Sequence, residues 1–128
     1  MQAQEITEEI LLEYNRNGVV KIPGVITKEE AGRFRQGAVD ILERMPTPDS
    51  AAGRPFHQKV NVWQEHPVMK ELTLHPNVAA VAERLTGVRL RLWHDHILAK
   101  MPGLEVPTAF HQDLVKWPYD LTPVANTS

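Results

Sequence analysis

The sequence predicts an α+β fold in which helices come first and a β-sandwich or barrel begins late in the chain. Apolar residues recur at helical spacing over residues 1–87, and from residue 88 they alternate with a period of two. The length of 128 residues has room for one domain with a modest core. We therefore predict a single domain, 1–128, with a helical region at 1–87 and the first core strands at 88–128.

The first predicted element is a short amphipathic helix, in which Ile6, Ile10 and Tyr14 recur at four-residue spacing. The Asn-Gly pair ending at Gly18 is expected to stop this helix. A short strand is predicted directly afterwards, at 19–22, because Val-Val-Lys-Ile is followed by a Pro-Gly turn.

The second predicted helix begins with a capping box, because Thr27 is followed three residues later by Glu30. We expect the helix to run toward Met45 and to stop at Pro46. The residues at 46–55 are rich in Pro, Gly, Ser and Asp, which indicates a loop.

A strand is predicted after this loop, at 56–63. Two further short helices are predicted within 67–86. They separate at the His75-Pro76 pair, since proline suits the first position of a helix, and Gly87 is expected to stop the second one.

The period of two from residue 88 predicts a strand at 88–100, followed by a Pro/Gly loop and a second strand at 108–117. One face of the first strand would carry Leu90, Leu92, His94, His96, Leu98 and Lys100. The opposite face would carry Arg89, Arg91, Trp93, Asp95, Ile97 and Ala99.

The composition excludes several classes of protein. A formal net charge of -2 without a basic cluster gives no footprint for nucleic acid. The chain has no cysteine, which rules out disulfides, Fe-S clusters and thiolate zinc sites. No apolar run approaches the roughly 18 to 20 residues of a membrane span. We therefore expect no nucleic-acid or membrane partner, and a cytoplasmic location fits this composition.

The segment Phe-His-Gln-Asp places an imidazole and a carboxylate two positions apart, at His111 and Asp113. In a strand, side chains two positions apart point to the same face, so both groups would converge on one point. With one more imidazole they would form the 2-His-1-carboxylate set of non-haem Fe(II) oxygenases. Phe110 and Trp117 would supply the apolar wall of such a site.

Two blocks of sequence in the C-terminal part of the chain stand out together. The first is Leu-Trp-His-Asp-His-Ile-Leu-Ala-Lys-Met-Pro-Gly at 92–103, and the second is Phe-His-Gln-Asp-Leu at 110–114 with Trp-Pro-Tyr at 117–119. Near the N-terminus, from Tyr14, the chain reads Tyr-x-x-x-Gly-Val-Val-x-Ile-Pro-Gly-Val-Ile. Together these segments resemble the phytanoyl-CoA dioxygenase family of Fe(II)- and 2-oxoglutarate-dependent oxygenases.

The resemblance implies a double-stranded β-helix (a jelly roll, cupin-like), which would be incomplete in this chain. It implies that His111 and Asp113 are two of three iron ligands and that the third ligand is absent from this chain. The co-substrate-binding residues that it implies are Lys59, His96 and Lys100. Relatives that halogenate lack the carboxylate ligand, so an aspartate at this position favours hydroxylation.

We therefore expect a 2-oxoglutarate-dependent dioxygenase that hydroxylates a small organic molecule, with Fe(II) and 2-oxoglutarate as cofactors. Relatives carry a distal histidine and an arginine downstream, and nothing after Asp113 is either residue. We therefore expect this chain to be an incomplete form of the enzyme that binds iron poorly and is inactive alone. We also expect it to associate with a missing C-terminal half or with itself. One alternative is a non-catalytic binding or assembly module. Another is a cupin-like metal protein that uses His94, His96 and His111.

Overall fold

The computed structural model describes residues 1–46, 56–100, 102 and 107–112. These residues form helices and one small antiparallel sheet, which confirms the α+β class. The helices and strands are α1 (Glu8–Asn17), α2 (Lys28–Leu42), β1 (His57–Val60), α3 (Pro67–Thr73), α4 (Pro76–Thr86) and β2 (His96–Ala99). Short 3₁₀ turns lie at Ala3–Glu5 and Val62–Gln64. No helix in these ranges combines the length and the apolar character needed to cross a membrane.

Helices α1 and α2 begin and end at residues whose chemistry suits those positions. The Thr7 hydroxyl accepts the Ile10 backbone N–H at 3.4 Å, and Gly18 ends α1 in the left-handed region at φ 71°. The predicted capping box of α2 is present, with the Thr27 hydroxyl accepting the Glu30 N–H at 3.1 Å and the Glu30 carboxylate accepting the Thr27 N–H at 2.7 Å. Helix α2 ends at Leu42, short of the predicted Met45.

Helices α3 and α4 are both capped by an imidazole that precedes a proline. The Nδ1 atom of His66 accepts the Met69 N–H at 3.4 Å, and the Nδ1 atom of His75 accepts the Asn77 N–H at 3.2 Å. Gly87 ends α4 at φ 71°. The structure therefore confirms two short helices that separate at His75 and stop at Gly87.

Strands β1 and β2 pair in antiparallel orientation, with Gln58 opposite Leu98 and Val60 opposite His96. The predicted strand at 56–63 is confirmed over His57–Val60, which places a strand inside the region 1–87 that was predicted as helical. The long strand predicted at 88–100 is reduced to His96–Ala99. The predicted strand at 19–22 is wrong, because a strand needs a hydrogen-bonded neighbour and only β1 and β2 pair within the described residues.

The core lies between the helices and one face of the sheet. Ile41 of α2, Val62 of the 3₁₀ turn and Met69 of α3 are buried against one another, and the Val62 side chain has no exposed surface. The half-buried residues packed around them are Ala38, Met45, Leu72 and Ile97. Because Ile97 belongs to β2, the sheet lays one face on the helices and leaves the other face outward.

Candidate iron and co-substrate site

The register of the sheet divides its side chains between two faces, because residues opposite each other in a pair point to the same side. The helix-facing side carries His57, Lys59, Ile97 and Ala99, and the outward side carries Gln58, Val60, His96 and Leu98. On the outward side Leu98 is 58% exposed and Val60 is 46% exposed. The predicted co-substrate residues are therefore not all on one face.

Lys59 lies on the helix-facing side, apart from His96. Its ammonium group forms an ion pair with the Glu65 carboxylate at 2.5 Å, and both side chains are partly exposed. Such a solvent-exposed pair typically contributes about 0 to 1 kcal/mol to stability. The structure thus gives Lys59 a local partner and does not bring it together with His96 or Lys100.

His96 and Lys100 share the outward parity of β2 and of its continuation. The Lys100 ammonium lies 5.7 Å from the centroid of the Phe56 ring and donates a hydrogen bond to the Thr108 hydroxyl at 2.6 Å. The rings of His94 and His96 have centroids 6.3 Å apart. The contact with Thr108 matters most, because it attaches the segment that carries the predicted iron ligands to the end of β2.

His111 lies on this attached segment and is exposed. Its Nδ1 atom is 2.8 Å from the carbonyl oxygen of Ala109, a distance at which Nδ1–H donates to that oxygen. The tautomer with the proton on Nδ1 keeps the lone pair on Nε2. Metal-binding histidines in proteins are held in the same way, by a hydrogen bond from the second ring nitrogen. This contact with the Ala109 carbonyl is compatible with Nε2 of His111 acting as a metal ligand.

The other residues of the predicted site have different outcomes. Asp113 and Trp117 lie outside the described residues, as do half of the strand predicted at 108–117 and most of the loop predicted at 46–55. Phe110 is fully exposed, so the described part of the chain forms no pocket wall around it. Within residues 107–112 no strand is assigned.

A three-histidine site would require the imidazoles of His94, His96 and His111 to reach one ion. Among the described residues, no group of three or more histidine, aspartate or glutamate side chains is arranged to hold a metal. All three histidines belong to the described residues, and the structure does not bring them together in such a group. His96 begins β2 and His94 lies two residues before it, whereas His111 follows the Lys100–Thr108 contact. His111 and Asp113 stay the predicted iron ligands.

The sequence patterns missed one residue of structural weight, Asp95. Its Oδ2 atom accepts hydrogen bonds from the Trp63 backbone N–H at 3.0 Å and from the Thr73 hydroxyl at 3.1 Å. Alternation had placed Asp95 among six residues of one strand face, without a role. The available signal was an acidic residue on the same face as Ile97 and Ala99, where an apolar side chain would be expected.

The pKa of Glu30 is clearly lowered, and this residue lies outside the predicted site. The hydrogen bonds from the Thr27 backbone and then from its side chain, followed by the contact with His75, hold the pKa of Glu30 below its ordinary value. The His75 Nε2 atom lies 3.4 Å from the Glu30 carboxylate. This carboxylate serves the start of α2, so the lowered pKa marks a helix cap and not a catalytic acid.

Comparisons with known proteins agree with the resemblance of the sequence. A family model described as phytanoyl-CoA dioxygenase (PhyH) matches residues 14–128. A similar solved structure is that of the non-heme alpha ketoglutarate dependent carbocyclase SnoK from nogalamycin biosynthesis, with 31% sequence identity and a TM-score of 0.77. The alignment covers 88% of this chain and 46% of that chain, so the sequence spans about half the length of this neighbour. No curated protein matches the sequence. The two matches support Fe(II) and 2-oxoglutarate as the cofactors, which confirms that prediction.

Proposed function

We propose that this chain, which belongs to the phytanoyl-CoA dioxygenase family, is the N-terminal part of a 2-oxoglutarate-dependent dioxygenase that hydroxylates a small organic molecule. The observation that carries the proposal is the match of the family model to residues 14–128, and the contact of His111 Nδ1 with the Ala109 carbonyl is compatible with Nε2 as a ligand. The coverage of only 46% of the neighbour supports the view that further segments complete the enzyme.

Nε2 of His111 and the carboxylate of Asp113 would be two of the ligands that hold the iron. Ferrous iron and 2-oxoglutarate, when bound, supply the oxidising chemistry, and the protein supplies binding, orientation and exclusion of water. A hydrogen bond from Nδ1–H to the backbone carbonyl of Ala109 would orient the imidazole for ligation through Nε2. A carboxylate ligand at 113 favours hydroxylation, because it occupies the position that a halide would need.

The proposed co-substrate region is the outward face near the end of β2. Lys100 is a fixed cation there, held over the Phe56 ring and bonded to Thr108, and its charge suits a dicarboxylate. His96 has the same outward parity. The register favours these two residues over Lys59, which lies on the other face in an ion pair with Glu65.

The proposed architecture is a double-stranded β-helix whose interior is lined by the outward face of β1 and β2. Large apolar side chains on that face, such as Leu98 and Val60, are about half exposed in the described part of the chain. A sheet of two four-residue strands also has open edges, which favour pairing with further strands. We propose that the C-terminal half of the same enzyme covers this face, and that a second copy does so when that half is absent.

Thermal denaturation in the presence of ferrous iron tests this proposal. A ligand that binds the native state raises its melting temperature, and a tenfold excess over the dissociation constant is worth about 1.4 kcal/mol. Although the chain alone is expected to bind iron poorly, anaerobic Fe(II) in excess of the dissociation constant should stabilise it, and the His111→Ala and Asp113→Ala variants should lose that shift. His94→Ala is the matched control, because it removes an imidazole of the other block and should leave the shift unchanged.

Two results would contradict the proposal. Equal Fe(II) shifts in the parent and in both ligand variants would place metal binding elsewhere and would favour the non-catalytic module. Robust formation of succinate from 2-oxoglutarate by the 128-residue chain alone would contradict the proposal that a third ligand and a carboxylate anchor must come from further segments.

A further inference from the structure

The Asp95 carboxylate joins three parts of the fold at the entry to β2. Its Oδ2 atom accepts the Trp63 N–H at 3.0 Å, from the second residue of the 3₁₀ turn, and the Thr73 hydroxyl at 3.1 Å, from the last residue of α3. Its backbone carbonyl accepts the Asn61 N–H at 3.0 Å, which extends the pairing of β1 with β2 by one rung. One residue thus bonds the turn, a helix end and the neighbouring strand.

The 3₁₀ turn depends on this carboxylate for its N-terminal acceptor. Asn61 occupies the N-cap position in the left-handed region, with φ 61° and ψ 35°, and its side chain makes no capping hydrogen bond. Asp95, which immediately precedes β2 and lies 32 residues after Trp63, supplies the missing acceptor. Hydrogen bonds from an N–H group to an ionised carboxylate are stronger than those between neutral groups.

The second carboxylate oxygen indicates why an acid is placed here. Among the described residues, Oδ1 of Asp95 is buried and has no hydrogen-bond partner. Burying an unsatisfied polar atom costs free energy, so an apolar residue would serve packing better on a face shared with Ile97 and Ala99. The acid therefore contributes by holding the turn and α3 in place through its hydrogen bonds, and not by being buried.

The sheet needs a contact that fixes its register. Both strands have four residues, and an isolated two-stranded sheet is marginal in water. A slip of one residue is excluded because Ile97 would leave the core. A slip of two residues keeps every side chain on its face but moves His96 by about 7 Å along β1. The hydrogen bonds of Asp95 oppose such a slip because their partners lie on the turn and on α3.

We propose that Asp95 sets the register of β1 and β2 and is thereby a positioning residue for His96 and Lys100 on the outward face. The catalytic meaning of this inference rests on the proposed function, whereas the register itself does not. An experiment that reads register directly therefore separates a failure of the inference from a failure of the oxygenase proposal.

Disulfide trapping reads the register, since the chain contains no cysteine to interfere. Gln58 and Leu98 face each other in the observed register. Residue pairs in an antiparallel sheet alternate between hydrogen-bonded and non-hydrogen-bonded pairs, and Asn61–Asp95 is a hydrogen-bonded pair. Gln58–Leu98 is therefore a non-hydrogen-bonded pair, in which the Cα atoms lie about 4.5 Å apart. A Gln58→Cys/Leu98→Cys variant can thus form a disulfide. A Val60→Cys/Leu98→Cys variant brings its sulfurs together only after a two-residue slip, because diagonal neighbours are roughly 7 to 8 Å apart.

Both cysteine pairs are oxidised under a glutathione redox buffer in three backgrounds: the parent, Asp95→Ala, and Thr73→Val. Thr73→Ser serves as the matched control for Thr73→Val, because serine restores the hydroxyl that donates to Asp95. Ile41→Val serves as a control for stability alone, since it loosens the core without contacting Asp95. Thr73→Val keeps the acid and the Trp63 bond, so the test stands even where Asp95→Ala does not fold.

In the parent, the pair at 58 and 98 should be trapped in strong preference to the pair at 60 and 98. Loss of a charged hydrogen-bond acceptor should shift this preference toward the slipped pair by about tenfold in Asp95→Ala, and by less in Thr73→Val. Thr73→Ser should restore the parent ratio, and Ile41→Val should leave it unchanged. An unchanged ratio in both Asp95→Ala and Thr73→Val, or a ratio that also shifts in Ile41→Val, would overturn the inference.

Discussion

The two glycines inside α2 provide a sharp test of how this helix packs. An added Cβ at Gly32 would meet no atom within 4 Å. At Gly37 it would meet Val68 Cγ1 at 3.0 Å and His66 Cε1 at 3.2 Å. Both contacts belong to the start of α3 and its cap, so Gly37 lies where α2 packs closely against the start of α3. Alanine at these two positions should therefore have opposite effects on stability.

The size of each effect follows from helix propensity and from packing. Alanine is about 0.8 to 1 kcal/mol more favourable than glycine in a helix interior, and Gly32→Ala should gain that amount. At Gly37 the same gain is opposed by overpacking, which typically costs about 1 to 3 kcal/mol. Val68 relaxes poorly because a β-branched side chain in a helix has one preferred rotamer. Gly37→Ala should therefore be destabilising by up to about 2 kcal/mol.

Urea denaturation monitored by circular dichroism measures both variants against the parent. The midpoint should rise for Gly32→Ala and fall for Gly37→Ala, with similar slopes for all three proteins. Equal stabilisation by both substitutions would refute the reasoning, because it would mean that α3 leaves room for a methyl group at Gly37.

Three further predictions concern the core, a helix end and pH. Val62→Ala should lower the unfolding free energy by about 2 to 3 kcal/mol in urea titrations, because Val62 is fully buried. Leu12 is 68% exposed, so Leu12→Ala should change the unfolding free energy by less than about 0.5 kcal/mol. Gly87→Ala should cost about 1 to 2 kcal/mol in the same titrations, because φ is 71° at the end of α4. The lowered pKa of Glu30 gives stability that is fully present above its unfolded pKa of about 4.3 and is lost as the pH falls through the folded value. Between about pH 5 and pH 3, Glu30→Gln should therefore flatten the decline of the urea midpoint, and an equally steep decline in the variant would contradict this reasoning.

The helices could be predicted because their signals are local. The pair of Thr27 and Glu30, the proline after His75 and the glycine at 87 each determine a helix end within a few residues of sequence. The end of α2 was placed too late, at Met45, because no signal between Leu42 and Pro46 distinguishes the last helical turn from a following turn. Local chemistry thus gave the helical layer and left its boundaries to tertiary packing.

The strands were harder to predict because their partners are distant in sequence. Alternation marked residues 88–100 as extended, yet among the described residues the strand covers only His96–Ala99, opposite the four residues of β1. Val19 and its neighbours have strand propensity but no pairing partner among the described residues, and Val19 is 69% exposed. The face on which Lys59 lies depends on register, which no periodicity in one strand reveals.

The candidate site was located through motif spacing and family resemblance. His111 contacts the Ala109 carbonyl through Nδ1, and the roles of His111, Asp113, Lys100 and His96 stay predictions. Asp95 was missed because its partners, Trp63 and Thr73, come from other elements. A contact of this kind requires the folded arrangement of three segments before the residue can be recognised.

Paramagnetic broadening by Mn(II) tests the central claim most directly, because Mn(II) binds the same nitrogen and oxygen ligands as Fe(II). Histidine ring resonances of the chain would be assigned by single substitution and followed during a Mn(II) titration with 2-oxoglutarate present. If His111 and Asp113 bind the metal, the His111 ring resonances should broaden first, while those of His66 and His75 stay unaffected at the same Mn(II) concentration. Asp113→Ala should abolish this preference for His111. Selective broadening of another histidine, or His111 broadening that persists unchanged in Asp113→Ala, would contradict it.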